Sequence, residues 1–123
     1  MKTFTSPSQT KGQIGENVAC IYLKLNGFHI VERNFTRKCG EIDIIARKDN
    51  KTHFIEVKSV SCENDWRPED QMHVWKARRL IKTIEIYLSI HKDTDWQFDV
   101  MCVYMDFQKR RARVKTLWDV ILA

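Results

Sequence analysis

The stretch Gly40-Glu41-Ile42-Asp43-Ile44-Ile45-Ala46-Arg47, followed after Lys48-Asp49-Asn50-Lys51 by Thr52-His53-Phe54-Ile55-Glu56-Val57-Lys58-Ser59-Val60, decides how this chain folds. Both runs are rich in β-branched and aromatic residues and are bounded by turn formers, the pattern of strands. Asp49-Asn50 suits a two-residue hairpin turn, because Asp and Asn tolerate positive φ. That turn sets a register in which Asp43 falls opposite Glu56 and Glu41 opposite Lys58. Alternate residues of a strand share a face. Glu41, Asp43, Glu56 and Lys58 are therefore expected on one face, continued toward the turn by Ile45 and Phe54. Ile42, Ile44, Ala46, Ile55 and Val57 take the other. Opposed β-carbons lie roughly 4.5–5.5 Å apart, so three carboxylates and one ammonium converge on one patch.

Working outward, residues 11–25 read as a helix. Ile14, Val18, Ile21, Tyr22 and Leu25 form one apolar stripe at three- and four-residue spacing. Asn26-Gly27 stops it, with Gly27 free to take the left-handed conformation. The polar residues 1–10 are expected to be loosely ordered, and residues 28–33 to form a strand. Downstream, residues 61–67 read as a polar loop. Pro68 opens a long helix to residue 90, with Glu69 and Asp70 at its positive end. Val74, Ala77, Leu80, Ile81, Ile84, Tyr87 and Leu88 make its apolar arc. Residues 96–104 form a fourth strand. Residues 113–117 form a fifth, entered from the basic turn at Lys109, Arg110 and Arg111. The order is α-β-β-β-α-β-β. The first three strands can meander, and the long helix requires a right-handed crossover that makes strands three and four parallel. The expected fold class is α/β, a mixed central sheet with a helix to cover each face.

At 123 residues the chain is sized for one domain, residues 1–123, with enough buried surface for a real core. The net charge is +5 and the pI about 9.1, which admits a nucleic-acid partner without requiring one. The apolar runs are too short to cross a membrane, and Met1–Pro7 lacks an apolar signal core, so a cytoplasmic location with no membrane partner is expected. Cys20, Cys39, Cys62 and Cys102 contain no C-x-x-C spacing and are expected reduced and packed as small apolar residues. The four histidines are dispersed, without an H-E-x-x-H arrangement.

A charged cluster at one end of a buried sheet face is costly unless its members pair or bind a cation, and adjacent carboxylates repel. Hard oxygen donors at this spacing suit Mg²⁺. A carboxylate-bound Mg²⁺ polarises a phosphodiester and acidifies a bound water. A lysine beside it stabilises charge developing on the phosphorane or positions the attacking water. The competing reading is a cross-strand lattice of ion pairs on a solvated face.

Glu41-Ile42-Asp43 followed by Glu56-Val57-Lys58, behind a leading helix carrying Gly15-Glu16, resembles the PD-(D/E)xK nuclease signature. More narrowly it resembles the YraN family, small bacterial endonuclease-like proteins related to archaeal-type Holliday junction resolvases. The matching segments also include Ala19, Leu23, Gly27-Phe28, Arg33-Asn34, Gly40 through Ala46, Phe54 through Lys58, Lys76, Arg79, Leu80 and Phe98-Asp99-Val100. The resemblance implies a three-layer α/β/α restriction-endonuclease-like fold. It implies that Asp43 and Glu56, with the carbonyl of Val57, hold Mg (or Mn), and that Lys58 is the catalytic lysine. Glu16 corresponds to the acidic residue that resolvase-like members carry on the first helix. A nucleic-acid partner, DNA, is implied, as is a homodimer, since a junction offers two symmetric cuts. Ile42 stands where the motif's name has proline, and Val60 and Gln97 stand where many relatives have arginine.

Outside the motif, Lys76 and Arg79 on the second helix, Arg33, and Lys109 and Arg111 of the basic turn are candidate phosphate contacts. The alternative is solvated faces and a soluble strand edge. Trp66, Trp75, Trp96 and Trp118 are read as core or interface residues, with stacking on unpaired bases as the alternative. Asp99 either orients a site residue from the neighbouring strand or bonds backbone at a strand end. The leading functional expectation is a Mg-dependent endonuclease-like protein that hydrolyses phosphodiester bonds in structured or branched DNA. The alternatives are a non-catalytic nucleic-acid-binding or protein-interaction module retaining the nuclease fold, and a structural domain whose charged hairpin only forms ion pairs.

Overall fold

A computed structural model describes residues 7–60, 74–92 and 95–122 of the chain. Helix α1 (Pro7–Leu25) begins one turn earlier than the apolar spacing predicts, at a proline. Its end is closed by Phe28 N–H on the Leu23 carbonyl at 3.0 Å and Gly27 N–H on the Lys24 carbonyl at 3.2 Å. This double closure requires a left-handed residue, and Gly27 supplies it at φ 86°.

Strands β1 (His29–Arg37), β2 (Gly40–Lys48) and β3 (Lys51–Val60) follow as an antiparallel meander. The β2–β3 turn is the two-residue Asp49-Asn50 turn, with φ of 52° and 63°. It fixes the expected register, Ile44 opposite Ile55 and Ile45 opposite Phe54. Helix α2 (Val74–His91) then returns the chain, and β4 (Trp96–Asp106) pairs parallel with β3. β5 (Arg111–Leu117) closes a five-stranded sheet ordered β1-β2-β3-β4-β5. The α/β order α-β-β-β-α-β-β and the mixed sheet are those the sequence predicts. β1 ends four residues later than expected, and β5 begins two residues earlier. The proposed helix start at Pro68, with Glu69 and Asp70, lies outside the described residues.

The central strands β2, β3 and β4 are buried on both faces, and the edge strands β1 and β5 are largely exposed. Ile45, Phe54, Phe98, Val100 and Cys102 pack under Leu80, Ile84 and Tyr87 of α2. Ile44, Ala46, Ile55, Met101 and Val103 pack under Ala19, Cys20 and Leu23 of α1. Of the predicted α2 arc, Ala77, Leu80, Ile84 and Tyr87 are buried and Leu88 packs beside them, while the Val74 side chain lies outside the described residues. Thr83 is added, buried and returning its hydroxyl to the Arg79 carbonyl at 2.9 Å. Cys20 and Cys102 are buried free thiols, as expected, Cys39 is half-buried, and Cys62 lies outside the described residues. Burial pushes the Cys20 thiol up from its usual range.

The stripe predicted for α1 packs only in part: Val18 and Tyr22 rest against the α1-side core. Ile14, Ile21 and Leu25 are exposed by 37%, 59% and 81%, while Ala19, Cys20 and Leu23 face the sheet. The reason is approach distance. A β-carbon on Gly15 would sit 2.8 Å from Ser59 Cβ, so the helix backbone lies directly on β3 at that point. Small residues at positions 15 and 19 admit that approach, whereas a row of isoleucines would hold the helix off. Gly15→Ala is therefore expected to cost about 1–3 kcal/mol in denaturant unfolding. An unchanged midpoint would show that α1 does not rest on Ser59.

Candidate active site

The β1–β2 ladder pairs Arg33 with Ile44 and Phe35 with Ile42, leaving Asn34 and Asp43 facing each other between them. Phe35 and Ile42 pack in the α2 layer. Ile44 packs in the α1 layer, and Arg33 bonds to residues of α1. Residues two apart on a regular strand share a face, so both strands reverse sides at the same rung. Asn34 allows it by adopting φ 56°, a left-handed conformation that Asn tolerates better than most residues. The sequence motif places Asp43 at this reversal.

The expected cross-strand patch is corrected accordingly. The β2–β3 ladder ends at Ile44 and Ile55, so Asp43 does not pair with Glu56 and Glu41 does not pair with Lys58. Instead the Asp43 carboxylate enters the opened seam, and its Oδ2 accepts the Val57 N–H at 2.8 Å. Glu41 and Asp43 line a cavity of about 770 Å³ on the α1 side, together with Glu16, Asn17, Arg33 and Asn34. On β3, Ile55 and Val57 pack toward α1, and Phe54 and Val60 toward α2. By alternation Glu56 and Lys58 leave β3 on the α2 side. Lys58 Nζ lies 3.8 Å from Glu56 Oε2, with the Glu56 side chain only 14% exposed. The four motif residues thus straddle the seam rather than share one face.

The carboxyl of Asp43 is pushed up to about 7, first by burial and then by the charges of Glu56, Glu16 and Glu41, against the opposing pull of the Val57 N–H. Glu16 is held from the other side. Arg33 donates to its Oε1 from Nη2 at 3.1 Å and Nε at 3.3 Å, and reaches Asn17 Oδ1 at 2.8 Å. A half-buried carboxyl raised by three like-charged neighbours, with a main-chain carbonyl next to Glu56, is a donor set that suits a hard divalent cation. Among the described residues, no three His, Cys, Asp or Glu side chains close around a single point.

Cations gather at this end of the sheet. Arg37 and Lys38 flank the β1–β2 turn, and Lys109, Arg110 and Arg111 the β4–β5 turn. Both turns lie where the parallel pair β3 and β4 ends, as shown by Val60 opposite Tyr104 and Arg111 opposite Asp106. Lys109, Arg111 and Arg79 are exposed, and Arg79 and Thr83 sit beside Gly40 at the start of β2. The Lys76 side chain lies outside the described residues. Val60 packs in the α2 layer, and Gln97 is at the opposite end of the sheet, bonded to Asp99, so neither belongs to the seam. Sequence reading missed Asn17 as a partner of Arg33. It also missed the strand reversal, whose one visible sign was an asparagine inside a strand.

A sequence profile described as Uncharacterised protein family UPF0102 matches residues 15–103, which include every motif position. The chain belongs to the UPF0102 family. It is 48% identical over 93 residues to a UPF0102 protein of Campylobacter lari, covering 75% of this chain and 81% of that one. Against a UPF0102 protein of Campylobacter jejuni it is 45% identical over 96 residues, covering 77% and 84%. Against one from Helicobacter hepaticus it is 47% identical over 87 residues, covering 71% and 76%. No described helix is long and apolar enough to cross a membrane.

Because the folded-state pKa of Asp43 is above its unfolded value of 3.8, Asp43 penalises the fold increasingly as pH rises from about 4 to 7, and by a constant amount above that. Asp43→Asn keeps the acceptor for Val57 and removes the charge. In metal-free buffer its stability is expected to match the wild type near pH 4 and to exceed it by up to a few kcal/mol at pH 8. Parallel stability curves across that range would show that Asp43 is not under electrostatic strain.

Proposed function

We propose that this chain is a Mg-dependent (or Mn-dependent) endonuclease-like protein of the restriction-endonuclease-like superfamily, hydrolysing phosphodiester bonds in structured or branched DNA. The observation that carries the proposal is the seam itself: a half-buried Asp43 bonded to Val57 N–H, with Glu56 and Lys58 on either side of Val57. Asp43 and Glu56, with the Val57 carbonyl, are the groups that would hold the ion. When bound, the ion supplies positive charge to the phosphate and lowers the pKa of a water. Lys58, anchored near Glu56, brings an ammonium to the charge that develops on the phosphorane. Glu16 adds a carboxylate from α1, and Arg33 holds it in place while presenting a guanidinium to the same cavity. The cations of the two turns and of α2 would carry the flanking phosphates, which makes binding steeply salt-dependent. A homodimer in the cytoplasm is part of the same reading, two copies serving two symmetric cuts.

A second reading, a nucleic-acid-binding or protein-interaction module without catalysis, is favoured by one observation. Glu16 is turned to Arg33, which also holds Asn17, so the carboxylates stay spread across the seam. The two readings separate in one experiment. Mg²⁺ is titrated calorimetrically into the wild type, Asp43→Ala, Glu56→Ala and Lys58→Ala, and each is assayed on a four-way junction and a matched duplex. Cleavage is expected to fall at least about a hundredfold in all three variants. Metal binding should be lost in Asp43→Ala and Glu56→Ala but kept in Lys58→Ala. Salt-sensitive DNA binding without cleavage by the wild type would select the second reading.

A further inference from the structure

At the opposite end of the sheet lies a second cavity, of about 390 Å³, whose floor is His53 on β3 and its register neighbour Gln97 on β4. Asp99 organises that floor from complete burial. Its Oδ2 lies 2.7 Å from His53 Nδ1, and its Oδ1 accepts from Gln97 Nε2 at 2.7 Å and from the Asp119 N–H at 2.9 Å. A carboxylate only accepts, so this network places the proton of a neutral His53 on Nδ1 and leaves the Gln97 amide oxygen for another partner. The His53 side chain is nine-tenths buried, and its Nε2 has no hydrogen-bond partner among the described residues. With His53 neutral, the floor presents two acceptors, His53 Nε2 and Gln97 Oε1.

The walls are aromatic. Phe28 and Trp118 stack with centroids 5.8 Å apart and planes 4° from parallel, and His53 meets both edge-on. Trp118 remains 46% exposed, which an indole serving only the core would not be. The rim is charged: Lys48 Nζ bonds the Asn26 carbonyl at 2.8 Å, and Lys51 lies 3.9 Å from Asp95.

We infer that this cavity is a nucleobase subsite, taking a flat heteroaromatic ring with N–H donors along one edge, guanine foremost. The aromatic wall suits stacking, which is tolerant of base identity. The paired acceptors supply the preference, because the guanine edge offers its ring N–H and its exocyclic amine side by side. Lys48 and Lys51 stand where the attached phosphate would leave. The same chemistry is presented by a free guanine nucleotide and by an unpaired guanine in a strand. The inference rests on this cavity and not on the metal-dependent reading, since Glu16 and Asn26 at the two cavities are separated by roughly 15 Å of helix α1.

The test runs in EDTA, with the ¹⁵N shift of His53 Nε2 as readout. The probes are guanosine monophosphate, uridine monophosphate, a thymine hexamer with one central guanine, and that hexamer annealed to its complement. Guanosine monophosphate or the single strand is expected to saturate the shift, with the uridine nucleotide weaker and the duplex inert. Trp118→Ala should weaken binding about tenfold or more. Saturation by the nucleotide identifies a free ligand, and saturation by the strand alone identifies an unpaired base. A His53 signal that none of them moves, equal affinity for the two nucleotides, binding of the duplex as tight as the strand, or a Trp118→Ala variant binding like the wild type would each overturn the inference.

Discussion

The bond from Val57 N–H to the Asp43 carboxylate is made where a β-ladder would place a main-chain carbonyl. It replaces one rung of sheet with a side chain, and so opens the sheet without leaving the Val57 donor unpaired. The cost is a carboxyl held in a half-buried seam among three others. Everything distinctive about the acidic end follows from that substitution. Glu41 is carried to the α1 side, Glu56 stays on the α2 side, and Asp43 lies between. Helix α1 must then come close enough to bring Glu16 alongside, and Gly15 on Ser59 is the contact that lets it.

The fold was largely legible in the sequence because its signals are local. The Asp49-Asn50 turn set the β2–β3 register, Asn26-Gly27 ended α1, and the long helix forced β3 and β4 parallel. The α1 face was read correctly at Val18 and Tyr22 and misread at the isoleucines, because hydrophobicity ranks isoleucine above glycine and alanine, whereas close helix–sheet contact selects by size. The candidate site was legible in composition but not in arrangement. Strict alternation put four charged residues on one face. The reversal at Asn34 and Asp43 is a non-local event, written jointly by two strands, and no single-strand pattern encodes it. Trp118 and Trp96, read as core or interface residues, are partly exposed. Asp99 accepts a backbone N–H, that of Asp119, while the neighbouring-strand residue it holds is His53 rather than a motif residue.

The two ends of the sheet divide the chemistry. One end collects carboxylates in the seam and cations in the surrounding turns. The other collects rings and amides around a single buried aspartate. Helix α1 spans both, its first turns bordering the acidic cavity and its last turn bordering the aromatic one. The profile shared with the family ends at residue 103, so the acidic seam lies wholly within the common part, while Trp118 and the backbone donor of Asp119 come from beyond it.

The Asp49-Asn50 hairpin also bears on how such a chain can change in length. A strand shifted by one residue presents every side chain to the opposite face. An insertion or deletion between Lys48 and Lys51 would carry Glu56 and Lys58 to the α1 layer and drive Ile55 and Val57 toward α2, scrambling both cores at once. The β4–β5 connection has no such duty, since its residues 107–110 are exposed and β5 is an edge strand. Across descendants of one ancestral sequence, gaps should therefore accumulate at the basic turn and be purged from the acidic hairpin.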